Sequence, residues 1–415
     1  MKPIISKKAV KFKQNISPVR EIMRYADSEY IKNLGLDPTE IISFAGGWVN
    51  HNAPKGLQEA YKEIIENDDL FHYSGGYSPT LGRNECKEAI IKYENHLHNI
   101  NNLEQNQIAF GASSTQLTFD LLKVLLNPKE KILLLDPSYC NFPTQIIMSM
   151  TYTNIIRFPV LDINSWEYIA DEKIEEFSNF IIENKPKVIL LISPDNPTSK
   201  VLSDNFISAT LDAAKKIGAF LLIDFAYKEI VFDEKYPKYF SWEPNDNFLS
   251  IHSNSKWGRN LGRRLGWVEA SAHIIEAMES FLNSTTLSPD TLHQMAFTKY
   301  IEKAIRENSL KSYIRETNQK YKTAAKQTVS SIKNHINLPC LVPDGGLYTC
   351  IKVNKNSAEF VKDVLHNTGV LFVPGWGFGK TLTNAVRVSY GPLVNNPNII
   401  DKAMEKVGNY LNKYV

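Results

Sequence analysis

The run Val188-Ile-Leu-Leu-Ile192 is apolar at every position. A strand with one wet face alternates apolar and polar residues, so this run predicts a strand covered on both sides. Further β-rich runs of strand length lie at Lys131–Leu135, Lys187–Ile192, Ala219–Ile223, Phe248–His252 and Leu265–Ala270. Helical patterns fall near Pro18–Leu34, Gly56–Ile65, Asn84–Leu97, Thr115–Leu126 and Asp204–Lys216, the last with Ser203 as N-cap. Strands alternating with helices build a parallel sheet joined by right-handed crossovers. The expected fold class is α/β, a mostly parallel sheet sandwiched by helices over residues 50–290. After it the pattern changes to α+β. A helical stretch at Ser288–His335 breaks near Asn308. Short strands (Leu347–Val353, Leu371–Val373, Ala385–Ser389) and helices (Ala358–His366, Ile399–Tyr414) follow. Residues 1–49 and 291–415 are expected to form a second, smaller domain.

A chain of 415 residues has room for both. Its 47 Lys and Arg against 45 Asp and Glu leave a formal charge of +2. That balance gives no long-range field for nucleic acid or an anionic membrane, and long basic runs are missing. With 43% hydrophobic and 22% charged residues, global disorder is excluded. No apolar run approaches the roughly 20 residues that span a bilayer. The start, Met1-Lys-Pro-Ile-Ile-Ser-Lys-Lys, lacks the apolar core of a signal peptide. Cys86, Cys140, Cys340 and Cys350 are too scattered for a disulfide framework, so a reducing, cytoplasmic setting is expected.

In open α/β sheets, reactive groups sit at the carboxyl ends of strands. Three polar clusters end the apolar runs here. They are Ser193-Pro-Asp-Asn-Pro-Thr-Ser199, Asp224-Phe-Ala-Tyr227, and the segment from Ser253 through Lys256 and Arg264 to Trp267. Each has a plain reading by itself: a turn dipeptide, a helix N-cap, a solvated lysine, an exposed ion pair. Their joint order and spacing resemble the class I/II aminotransferase superfamily of fold-type I pyridoxal-phosphate enzymes. Ile42-Ser-Phe-Ala-Gly-Gly47 is similar to the start of the aminoadipate and kynurenine aminotransferase branch. Tyr77-Ser-Pro-Thr-Leu-Gly82, Gly111-Ala-Ser-Ser114, Asp136-Pro-Ser-Tyr139, Pro374-Gly-Trp-Gly-Phe-Gly379 and Arg387-Val-Ser-Tyr390 also fall in family order. The resemblance covers most of the chain, and the Lys256 segment is its most specific part.

The resemblance implies a function: exchange of an amino group between an L-amino acid and a 2-oxo acid, with pyridoxal 5'-phosphate as cofactor. It implies three catalytic residues, Lys256, Asp224 and Tyr227. A lysine amine joins the cofactor aldehyde, and nearby cations or desolvation lower its pKa. Asp224 pairs with the ring nitrogen, so the protonated ring accepts electrons when a bond at the amino-acid α-carbon breaks. Asn196 and Tyr227 bond the phenolic oxygen, and Tyr139 lies against the ring face. Ala112, Ser113 and Ser114, at a helix start, hold the phosphate with Ser253 and Arg264. Tyr77 matches a tyrosine that reaches the phosphate from a neighbouring subunit, which implies a homodimer with shared active sites. Arg387 holds the substrate α-carboxylate with its planar fork, and Gly47 and Asn196 lie beside the substrate.

The chain departs from the family pattern in two places. Ser199 stands where Gly often follows Asn-Pro-Thr, and Ala112 offers only its backbone N–H. Arg259 and Arg263 are read as surface or interface residues. Trp48 and Asn50 either shape the substrate pocket or simply pack. Gly375-Trp-Gly-Phe-Gly379-Lys380-Thr381 ends like a phosphate loop, but Pro374 stands where that pattern needs Gly. No metal site is expected: His96 and His98 lie on opposing sides of a helix and read as its solvated end, and His252 reads as buried. A rival remains within the same chemistry, because the same carbanion serves elimination, dehydration or cyclisation.

Overall fold

The computed structural model describes residues 5–14, 25–149 and 154–413. Much of the helix expected over Pro18–Leu34 lies outside them. Its described remnant is Ser28–Asn33, where the Asp27 side chain accepts from the backbone N–H groups of Glu29 and Tyr30.

Seven strands form the large sheet: β1 (Ile108–Gly111), β2 (Lys131–Asp136), β3 (Asn154–Pro159), β4 (Val188–Ile192), β5 (Phe220–Asp224), β6 (Phe248–Ser253) and β7 (Gly266–Glu269). Their spatial order is β1-β7-β6-β5-β4-β2-β3. Pairing is parallel from β6 across to β3, while β7 runs antiparallel to both β6 and β1. Every residue of β4 is buried, as its unbroken apolar run predicts. Ile189 and Leu191 face one core with Leu221, Ile223 and Phe206. Val188, Leu190 and Ile192 face the opposite core with Leu222, Ile251, Leu117 and Leu121. Period-two alternation therefore buries both faces of the sheet under helices.

The main helices are α1 (Lys55–Ile65), α2 (Asn84–His98), α3 (Ser114–Leu125), α4 (Asp204–Ile217), α5 (Ala272–Thr285), α6 (Thr291–Arg306), α7 (Ser309–Ser331), α8 (Ser357–Thr368) and α9 (Pro397–Leu411). The Ser203 hydroxyl caps α4, accepting from Phe206 N at 3.1 Å, and Gly218 closes it at φ +66°. The break near Asn308 is a left-handed residue at φ +55° between α6 and α7. Leu57 and Ile64 of α1, Ile90 and Tyr93 of α2, and Phe297 and Ile301 of α6 share a third core with Trp257 and Trp267.

A three-stranded antiparallel sheet follows: β8 (Tyr348–Lys352), β9 (Val373–Pro374) and β10 (Ala385–Ser389), in the order β8-β10-β9. Phe360 and Val364 of α8 and Ile400 and Met404 of α9 share a core with its Val386 and Val388. Ile42–Ser43 pairs in parallel with Val370–Leu371, tying an early segment to this late one. Among the described residues, no helix is long and apolar enough to cross a membrane.

Sequence patterning misses β1, β3 and the helices at Phe142–Ser149 and Ile174–Asn184. β1 has four residues, and β3 carries polar Asn154 and Arg157 that interrupt its apolar run. The segment like a phosphate loop has another job. The Asp136 carboxylate accepts from Lys380 N at 3.0 Å, Thr381 N at 3.2 Å and Thr381 Oγ1 at 2.7 Å. A Cβ at Gly379 would overlap that carboxylate, so glycine here serves close packing.

Candidate active site

β4, β5 and β6 are adjacent and parallel, so their carboxyl ends open side by side. Asn196 follows β4, Asp224 ends β5, and Ser253 ends β6 three residues before Lys256. These four line one cavity of about 190 Å³, together with Gly47, Ser113, Ser114, Tyr139, Tyr227, Arg264 and Arg387. The two other expected residues lie outside it. Tyr77 is 86% exposed on this chain's surface. Ala112 lines a neighbouring pocket, and its N–H donates to Gln116 Oε1 at 2.9 Å.

Asp224 is buried, and its Oδ1 accepts from Ala226 N at 2.9 Å. Burial pushes its carboxyl up to about 6, against the Ala226 hydrogen bond and the attraction of Lys256. Lys256 Nζ donates to Gly47 O at 2.5 Å. Burial brings this amine down to about 8, and the Arg387 cation pushes the same way. Tyr227 Oη and Tyr348 Oη share a 2.7 Å hydrogen bond.

α3 begins at the cavity wall. Ser113 Oγ accepts from Gln116 N, and Ser114 opens the helix. A Cβ at Gly266 on β7 would sit 2.8 Å from Ser114 N, so only glycine lets the helix start approach the sheet this closely. Ser253 Oγ bonds Ser255 Oγ at 2.8 Å.

Arg387 comes from the small sheet, on β10. Nη1 donates to Asn196 Oδ1 at 2.9 Å and Nη2 to Ala45 O at 3.1 Å. The guanidinium lies between the rings of Tyr348 at 4.4 Å and Phe378 at 5.0 Å. Its Nε is buried without a partner. A buried donor left open in a cavity marks a place for an acceptor the protein itself does not supply.

Ser199, in the position often held by glycine, adopts φ +56°. Its Oγ accepts from Tyr348 N at 2.9 Å, so the hydroxyl ties the Asn196 loop to β8 at the cost of a left-handed non-glycine residue. Trp48 is 42% exposed with its indole over Gly46, and Asn50 Nδ2 donates to Pro392 O. Arg259 Nη1 donates to His51 O, and Arg263 is exposed.

Sequence reasoning missed Tyr348, Cys140 and Phe378 on the cavity wall. It also missed a buried ionic cluster directly after Tyr227. Lys228 Nζ lies 2.7 Å from Glu94 Oε2, both fully buried. Glu229 Oε1 accepts from Tyr93 Oη at 2.6 Å and faces His98 Nε2 at 3.3 Å. His98 is therefore buried against a carboxylate rather than at a solvated helix end: the last turn of α2 tucks under the 225–230 turn. His252 is buried as expected, between Glu94 at 3.6 Å and Glu269 at 3.5 Å and stacked on Trp267. Lys228→Met leaves Glu94 uncompensated, so folded stability should fall by about 3–5 kcal/mol in a denaturant titration. A loss below about 1 kcal/mol would mean that Lys228 does not balance Glu94.

The donors present fit pyridoxal phosphate. The buried Asp224 carboxylate would suit the ring nitrogen, the Lys256 amine the aldehyde, and the Ser113, Ser114 and Ser253 hydroxyls with the start of α3 and Arg264 the phosphate. Comparison with known proteins agrees. The family model for aminotransferase class I and II matches residues 40–406. An aspartate aminotransferase of Pyrococcus horikoshii is 24% identical over 374 residues, 88% of this chain and 91% of that protein. Aromatic-amino-acid aminotransferase 2 of Thermococcus litoralis is 25% identical over 375 residues, again 88% and 91%. A single mutant of Thermus thermophilus aspartate aminotransferase superposes with a TM-score of 0.83 at 18% identity, covering 98% of this chain and 100% of that one. This chain belongs to the class I and II aminotransferase family, and its cofactor is pyridoxal phosphate.

Proposed function

We propose that the protein moves an amino group from an L-amino acid to a 2-oxo acid, with Lys256, Asp224 and Tyr227 as its catalytic residues. The observation that carries this is a lysine amine, a buried carboxylate and an unsaturated guanidinium lining one cavity. Bound pyridoxal phosphate supplies an aldehyde for the amine and a ring that accepts electrons. Arg387 binds the α-carboxylate, with Asn196 and Gly47 beside the substrate. Asp224, whose carboxyl burial raises to about 6, would hold a proton on the ring nitrogen of the bound cofactor. Lys256 Nζ would take the substrate α-proton and deliver it to the former aldehyde carbon of the cofactor, two bonds from the α-carbon. An amine near 8 exchanges protons readily at neutral pH. The Gly47 carbonyl aims that amine, and Tyr227 with Asn196 donates to the phenolic oxygen. Tyr139 covers the ring face. Ser113, Ser114, Ser253 and Arg264 hold the phosphate, with Ala112 shaping the loop before the helix.

Tyr77, exposed and outside its own chain's cavity, supports a homodimer in which each copy completes the other's site. The division into 50–290 against 1–49 and 291–415 belongs to the same reading, with Arg387 joining the small unit to Asn196 of the large one. We place the enzyme in the cytoplasm, on its scattered free thiols.

The test is incubation of the holoenzyme with single amino acids and no oxo acid. Stoichiometric conversion of the cofactor to its aminated form is expected. Repeated turnover releasing ammonia or a cyclic product would replace this reading with elimination or cyclisation.

A further inference from the structure

Tyr348 enters the cavity from the small sheet, next to two residues that the proposed reaction uses. Its backbone is held twice. It pairs with Ser389 where β8 meets β10, and its N–H donates to Ser199 Oγ at 2.9 Å. The Arg387 guanidinium carbon lies 4.4 Å from the centre of its buried ring. The Tyr227 ring meets that ring edge-to-face, with centres 5.9 Å apart, and the two hydroxyls are 2.7 Å apart.

Either phenol can donate in such a pair, and charge decides which one does. Burial raises both. The Arg387 cation is the strongest influence pulling Tyr348 back down, whereas Tyr227 is pushed further up by the phenols of Tyr348 and Tyr139. Tyr348 is therefore the more acidic phenol and the better donor. A phenol that accepts one bond keeps its own proton to give, and linked hydroxyls polarise one another. We propose that Tyr348 is a positioning residue of the reaction: its hydroxyl donates to Tyr227 Oη and so leaves the Tyr227 proton for the phenolic oxygen of the cofactor. This rests on the reading that Tyr227 bonds that oxygen.

The experiment titrates the absorbance of substrate-free holoenzyme against pH, for wild type, Tyr348→Phe, Tyr227→Phe and the double variant. The midpoint reports loss of the proton on the nitrogen that links Lys256 to the cofactor. A donor on the phenolic oxygen favours the deprotonated form, where that oxygen bears uncompensated charge, and so lowers the midpoint. Tyr348→Phe keeps the ring against Arg387 and removes only the hydroxyl. It is expected to raise the midpoint by roughly half to one pH unit, the size of one net hydrogen bond. Tyr227→Phe should raise it at least as far, and adding Tyr348→Phe should then move it no further. A lower midpoint in Tyr348→Phe means that Tyr227 donates to Tyr348, and overturns the inference. So does an unchanged midpoint, or an equal rise in the Tyr227→Phe background. Failure of Tyr348→Phe to bind the cofactor overturns it too, because a residue acting through Tyr227 leaves the phosphate and Lys256 contacts in place. If Tyr227→Phe alone leaves the midpoint unmoved, the placement of Tyr227 on the phenolic oxygen fails, and this inference with it. The titration needs no amino acid, so elimination in place of transamination would leave it standing.

Discussion

Lys256→Ala is expected to give a folded protein that binds pyridoxal phosphate but cannot hold it covalently. After borohydride treatment and denaturation, the wild-type chain should retain the cofactor and the variant should release it. Turnover should fall by about 10²–10⁴-fold from loss of the proton-transfer role alone, and further from loss of the covalent link. Folding is not expected to suffer. The amine is held below its ordinary pKa chiefly by burial, so the folded state pays to charge it. Its hydrogen bond goes to Gly47 O, a loop carbonyl at the cavity edge. A variant that keeps the cofactor through reduction and denaturation would move the reactive amine elsewhere and remove the basis of the site.

Lys256 is also the residue most legible in the sequence, for a physical reason. Asp224 and Asn196 follow runs that are apolar throughout, Lys256 follows the strand-length run Phe248–His252, and a parallel sheet must bury such runs and release the chain at one edge. Strand order is less legible: β1 and β2 follow one another in sequence yet lie five positions apart in the sheet. Tyr348 is different. It touches Tyr227 across 121 positions of chain, through a hydrogen bond that exists only once the small sheet docks. Within the run Leu347–Val353 it reads as one more buried strand residue. Lys228 and Glu94 are the reverse case. A lone Lys and Glu in linear order look solvated, yet here each is buried because the other is there. His98 is a similar case, since helical periodicity cannot say which element covers the last turn of α2. Ser199 shows a third limit. A glycine position was recognisable, but the hydroxyl that lets serine hold it bonds to the backbone of β8, far along the chain.

Arg387→Ala should damage amino acids far more than the corresponding amines. Truncating one partner of a buried, hydrogen-bonded charge pair costs about 2–5 kcal/mol, so kcat/KM for amino acids should fall roughly 30- to several-thousand-fold. Amines lacking the carboxylate should change little. Equal losses for both would mean that Arg387 braces the cavity instead of gripping substrate. Arg387→Lys separates charge from shape. Lysine restores a cation but not the planar fork that Asn196 Oδ1, Ala45 O and the flanking rings of Tyr348 and Phe378 hold in place. It should recover only part of the loss. A second readout follows from electrostatics alone. Arg387 is the leading nearby charge that lowers Lys256, after burial. In the apoenzyme the neutral amine captures the cofactor aldehyde, so capture should speed up as pH rises through about 8. Without the Arg387 cation the ammonium is easier to keep, and that midpoint should move to higher pH. In Arg387→Lys the charge remains and the midpoint should stay close to the wild-type value. An unchanged midpoint in Arg387→Ala would mean that the Arg387 cation does not hold the Lys256 amine down.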